Sequence, residues 1–182
     1  MLWGGYIGSL EVREAGGETR LSARFPYGAE TELAPGRYEV IATRAFADRI
    51  ESGDDIHLLA GHDYNRPLAS RSAGSLILTD TGSALQINAT LDGSTSWARD
   101  FLAAHGAGLI RGLSPGFRVR PDGERVEQRS NGMLRTITRA DLFEISAVTR
   151  PAYSDAQIEA RSWHPPCEPT AQAYHALNRW RL

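Results

Sequence analysis

Lysine is absent from this chain of 182 residues, and all 20 basic residues are arginine. Together with abundant alanine and glycine, this bias reads as the mark of a GC-rich genome rather than as a functional device. Cysteine is almost absent too. A single thiol, Cys167, excludes an intrachain disulfide and any cysteine-rich metal site. Charge of either sign is not in excess. The net charge of −2 gives no electrostatic case for binding nucleic acid or an anionic membrane. No apolar run is long enough to span a bilayer, and the N-terminus lacks the basic and apolar regions of a signal peptide. These absences imply a soluble protein of a reducing cytoplasm, with neither nucleic acid nor membrane as partner. The apolar fraction of 41% and the chain length suit one globular domain with a core, or one domain plus a tail.

Short alternating runs separated by turn signals fill most of the chain. Gly16-Gly17 sits between two such runs as a hairpin turn, and Pro35-Gly36 marks a second break. Thr43 is a candidate cap for a short helix carrying Phe46 and Ile50, with Gly53 ending it. The run IHLLAGHD stops at Gly61-His62-Asp63, and SLILTDTGSALQINATL reads as two strands around Thr81-Gly82. Over residues 94–105 the period changes to helical. Ser94 or Thr95 can cap, and Trp97, Phe101 and Leu102 share a face. GLIRGLSPGFRV is strand-like, with Pro115 placing it at an edge, a bulge or a strand end. Turns at Asp122-Gly123 and Asn131-Gly132 and the strand-rich TITRADLFEISAVT follow. From residue 161, SWHPPCEP reads as a rigid connector before a short C-terminal helix. The expectation is a mainly β domain over 1–160, with a few helices and its sheet closed or barrel-like, and a tail over 161–182.

Gly112-Leu113-Ser114-Pro115-Gly116 fits G-x-S-x-G, the nucleophile elbow of α/β-hydrolases. The elbow takes an oxyanion donor from the N–H after the serine, and Pro115 has none. Proline also favours an extended Ser114, away from the strained elbow turn. An elbow further needs an acid and then a histidine downstream, where only His164 and His175 occur, in or beyond the connector. An esterase of that type is therefore the weaker reading.

A histidine from elsewhere can still activate Ser114, because a triad is defined by geometry and not by chain order. His62, at the end of an apolar strand, is the best placed; as a plain alternative it is a solvated turn residue. His57 reads as an ordinary strand residue, and His105, at a helix C-terminus, as structural. Glu144 lies in the otherwise apolar LFEISAV, where an unpaired charge would be costly, so it wants a partner. That partner is a histidine or one of the many arginines. Asp63, Asp80 and Asp141 compete for the role of third member.

The LLAGHD, GLSPGF and LFEISAVTRPAYSDA blocks occur in an order that resembles the prohead maturation proteases of tailed bacteriophages. These are serine proteases related in fold to herpesvirus assemblin. YEVIATRAF and TDTGSALQINATL add weaker likeness, and the resemblance spans residues 20–160. It implies an assemblin-like closed β-barrel surrounded by short helices, with Ser114 as nucleophile, His62 as catalytic histidine and Glu144 as the acid. It further implies a protease inside the procapsid, in the host bacterial cytoplasm. The major capsid protein or its scaffolding segment would be the substrate, with self-cleavage and homodimerisation as accompaniments and no metal or organic cofactor. Pro115 departs from the usual residue after the serine, so the oxyanion donor must be another backbone N–H, a water, or an arginine such as Arg111, Arg118 or Arg150. The same departure leaves room for an inactive relative serving as a scaffold or assembly factor.

Overall fold

The computed structural model describes residues 2–3, 9–15 and 18–149. The Gly16-Gly17 turn, the Arg150-Pro151-Ala152-Tyr153 close and the tail over 161–182 lie outside the described residues. Within them the chain forms thirteen strands and two helices. The strands are β1 (Leu2–Trp3), β2 (Ser9–Ala15), β3 (Glu18–Pro26), β4 (Glu30–Ala34), β5 (Arg37–Ile41), β6 (His57–Ala60) and β7 (Asp63–Ser70). They continue as β8 (Leu76–Asp80), β9 (Ala84–Leu91), β10 (Gly112–Val119), β11 (Glu124–Arg129), β12 (Gly132–Ile137) and β13 (Ala140–Val148). Helix α1 is Ala47–Glu51 and α2 is Ser96–Gly106.

The mainly β expectation holds. The described pairings make three sheets, ordered β1-β10-β13-β6-β7, β11-β12-β5-β4 and β2-β3-β9-β8, and no ring of strands closes among them. Most neighbours are antiparallel; β12–β5 and β13–β6 are parallel. Outer strands show why the period-2 pattern was readable. In β3, Leu21, Ala23 and Phe25 are buried while Ser22 and Arg24 face out. In β9, Leu85, Ile87 and Ala89 are buried and Gln86 and Asn88 are exposed. By contrast β10 is buried without interruption from Gly112 to Phe117, as is β13 from Glu144 to Val148. A strand covered on both faces cannot show alternation.

Phe46 links the parts of the core, with its ring centroid 6.4 Å from Phe25 and 5.6 Å from Phe117. This explains one correction. Helix α1 has Phe46, not Thr43, at its N-cap position with no side-chain cap, and it ends at Glu51, with Ser52 as its C-cap before Gly53. Burial of Phe46 and Ile50 against the core fixes the helix instead of a hydroxyl cap. The expected cap of α2 is present, since the Thr95 hydroxyl accepts the Ala98 N–H. Phe101 is buried, while Trp97 and Leu102 pack partly buried against the core.

Candidate active site

The site is built where β10, β13 and β6 lie side by side. Across the antiparallel β10–β13 pair, Ser114 stands opposite Ser146 and Gly116 opposite Glu144. Positions two apart share a face, so all four belong to one face of the sheet. Beyond Gly116 the register shifts, with Phe117 opposite Leu142. Phe143 is the extra residue of a β-bulge on β13. Pro115 therefore sits one residue before an irregularity. It also lies on the stretch of β10 that β1 does not reach, because β1 pairs only with Gly116 and Phe117. This agrees with the sequence expectation for a proline in a strand.

His62 comes from the connection between β6 and β7. Ala60 pairs with Asp63, leaving Gly61-His62 as a two-residue turn with φ values of 66° and 63°. Both residues at positive φ is the backbone of a primed hairpin turn, which glycine adopts freely and histidine at some cost. Two bonds tie this turn to β13: Gly61 N–H donates to the Ala147 carbonyl at 3.0 Å. The His62 N–H donates to Ser146 Oγ at 2.9 Å. The backbone strain at His62 thus coincides with the point where its ring is aimed.

Glu144 is fully buried, with one carboxylate oxygen, Oε1, 2.8 Å from His62 Nδ1. The other, Oε2, accepts the Ser146 hydroxyl at 2.6 Å. A buried carboxylate needs such donors, because desolvation otherwise disfavours the charge. Of the two partners open to Glu144 in the sequence, the histidine is the one found. The competing acids are engaged elsewhere. Asp63 accepts from Asn65, Asp80 from Tyr27 and Gly82, and Asp141 from Arg120. Tyr64, half exposed on β7, has its phenol pKa raised by partial burial and then by the Glu144 charge.

Because a backbone N–H can only donate, Ser146 Oγ spends a lone pair on His62 and points its proton at Glu144. The carboxylate then receives Nδ1–H from the imidazole, which leaves Nε2 as the basic nitrogen. Ser114, 1% exposed, lies directly across from the residue that holds this arrangement. A nucleophile elbow is not what carries Ser114: it lies within β10, not at a strand-to-helix turn.

The other sequence candidates have structural settings. The His57 ring lies edge-on to Tyr64 with centroids 6.0 Å apart, and its Nε2 is 3.6 Å from Asp55. His105 stacks on Phe101 and its Nδ1 lies 2.9 Å from the Ile110 carbonyl. Arg111 bonds the Gly108 carbonyl, and Arg118 lies over the Phe143 ring. Arg150, His164 and His175 lie outside the described residues. Sequence reasoning missed Ser146. A small polar residue two places after Glu144 on an apolar strand was the available signal.

A polar set of serine, histidine and carboxylate on a mainly β scaffold is the equipment of a serine hydrolase. Comparison with protein families narrows it. The sequence model of the caudovirus prohead serine protease family matches residues 9–166, and the chain belongs to that family. It is a serine peptidase of phage head maturation, acting on capsid proteins inside the procapsid in the host cell. Comparison with curated proteins and with solved structures gave no match. No helix among the described residues is long and apolar enough to cross a membrane.

Proposed function

We propose that Ser114 is the nucleophile of this peptidase, with His62 as general base and then general acid and Glu144 as the group that orients the imidazole. The observation that carries the reading is the bond from half-buried His62 to fully buried Glu144, 2.8 Å long, anchored through Ser146 to the position facing Ser114. In the first step Ser114 Oγ adds to the scissile carbonyl carbon while its proton passes to His62 Nε2. The tetrahedral intermediate expels the amine, which takes that proton, and an acyl ester remains on Ser114. Water then adds to the ester with its proton again taken by His62, and the carboxylate product leaves as Ser114 recovers its proton. Pro115 supplies no N–H to the oxyanion, so another group must hold it.

The substrate in this reading is the scaffolding segment of the major capsid protein. The reading also includes trimming of the protease's own tail, association as a homodimer, and a barrel-like arrangement related to assemblin. These parts rest on the resemblance of the LLAGHD, GLSPGF and LFEISAVTRPAYSDA blocks alone. Chemistry of this kind calls for no metal or organic cofactor. Co-expression with the capsid protein of the same phage tests the assignment and separates it from that of an inactive scaffold. Wild type should shorten the capsid protein, and Ser114→Ala should leave it at full length. Full-length capsid protein in both cases would overturn the catalytic assignment.

A further inference from the structure

We infer that Ser146 is a positioning residue of this site, fixing both the tautomer and the placement of His62 through one hydroxyl. The inference rests on the catalytic reading of Ser114, His62 and Glu144. Its basis is a closed circuit of hydrogen bonds. The His62 N–H donates to Ser146 Oγ at 2.9 Å, Ser146 donates to Glu144 Oε2 at 2.6 Å, and Glu144 Oε1 meets His62 Nδ1 at 2.8 Å. The circuit begins and ends on His62. Its backbone and its ring are therefore held by the same two side chains of β13, both fully buried.

Direction follows from donor capacity. The amide can only donate, so the hydroxyl proton is directed to the carboxylate, and the carboxylate is left to accept Nδ1–H. Reversing any member breaks a bond elsewhere in the circuit. Ser146 is thus set apart from Ser114 although the two face each other. Its oxygen serves the Nδ1 side of the imidazole and the turn backbone, so it holds the base and is not activated by it. The arrangement also accounts for the positive φ of 63° at His62, because the turn must present its N–H and its ring to the same strand.

The inference is tested on the full chain with a fluorophosphonate as probe, following phosphonylation of Ser114 by intact mass. Nitrogen-15 NMR of the His62 ring is recorded alongside. Wild type should react at Ser114 and show the Nδ1–H tautomer. Ser146→Ala should react about 10- to 100-fold more slowly, the size expected for a misplaced base, and its ring should become a mixture of tautomers. Ser146→Thr, which keeps the hydroxyl, should recover most of the rate. An unchanged tautomer in Ser146→Ala overturns the inference, as does an unchanged rate where wild type is reactive. A wild type that does not label at Ser114, with a tautomer still lost in Ser146→Ala, overturns the nucleophile assignment and leaves Ser146 in its role. Should Ser146→Ala not fold, the wild-type Ser146 hydroxyl proton decides: slow exchange and proximity to the His62 amide are expected, and rapid exchange with solvent overturns the inference.

Discussion

The Glu144 carboxylate occupies the space in which a side chain at Gly116 would stand. A Cβ at position 116 would lie 2.1 Å from Glu144 Oε1 and 2.8 Å from Cδ, closer than any real pair of such atoms. The glycine two residues after Ser114 is therefore not a turn glycine. It is a vacancy on β10 into which the acid of β13 folds, and it ties the spacing of the serine motif to the placement of the acid.

Gly116→Ala should accordingly expel the carboxylate from its bond with His62. Because the neighbouring atoms belong to a buried side chain in a closed circuit, the methyl group cannot be accommodated by a small rotation. Capsid cleavage should fall by roughly 100-fold or more. Retention of wild-type cleavage with a folded protein would mean that the Glu144–His62 bond is unimportant to turnover.

Glu144→Gln keeps shape and volume but removes the charge and permits the wrong imidazole tautomer. Cleavage should fall by about 10²- to 10⁴-fold with the fold intact. A second readout does not depend on activity. The Tyr64 phenol pKa is raised by burial and by the Glu144 charge, so it should move down when that charge is removed. Spectrophotometric titration of the tyrosines checks the direction. Wild-type turnover in this variant, where Ser114→Ala is inactive, would remove Glu144 from the catalytic set.

The strands with one wet face, such as β3 and β9, were legible because alternation survives there. So was the Thr95 cap, a purely local device. Ser114, His62 and Glu144 stood out as polar residues at the breaks or interiors of apolar runs. Which carboxylate His62 uses could not be read locally, because His62 and Glu144 are 82 positions apart and meet only through the β13–β6 register. Ser146 was hidden for the same reason. Its oxygen matters only once a distant turn brings an amide to it. Thr43 misled because a cap motif competes with core burial, and Phe46 wins that competition.

Position 62 makes two demands, a positive φ and an imidazole, and they can be separated. Asparagine tolerates the left-handed region, so His62→Asn should fold, losing only the imidazole bond to Glu144, yet be as inactive as Ser114→Ala. His62→Val loses that bond too and adds a β-branched side chain at φ 63°, so it should be inactive and less stable than His62→Asn by about 1–2 kcal/mol. Thermal melts beside the cleavage assay give both readouts. Substantial cleavage by His62→Asn would rule out His62 as the base.

Away from the site, Arg135 on β12 is only 2% exposed and forms a 2.9 Å ion pair with Glu39 on β5, itself 4% exposed. It also bonds Glu124 on β11 through Nε at 2.8 Å. One guanidinium thereby joins three strands of the β11-β12-β5-β4 sheet. Removing it takes a charged donor from the Glu39 carboxylate in a dry interior, which costs more than the pair contributes in net stability. Arg135→Met should destabilise the protein by about 3–5 kcal/mol. In a chain of this size that lowers Tm by roughly 6–20 °C. Replacing both partners, Arg135→Met with Glu39→Leu, removes the buried carboxylate together with its donor and should recover most of the loss, since Glu124 is partly solvated and can turn to water. A double variant melting below the single one would show that the ion pair itself, and not the cost of taking a donor from a buried carboxylate, stabilises the sheet.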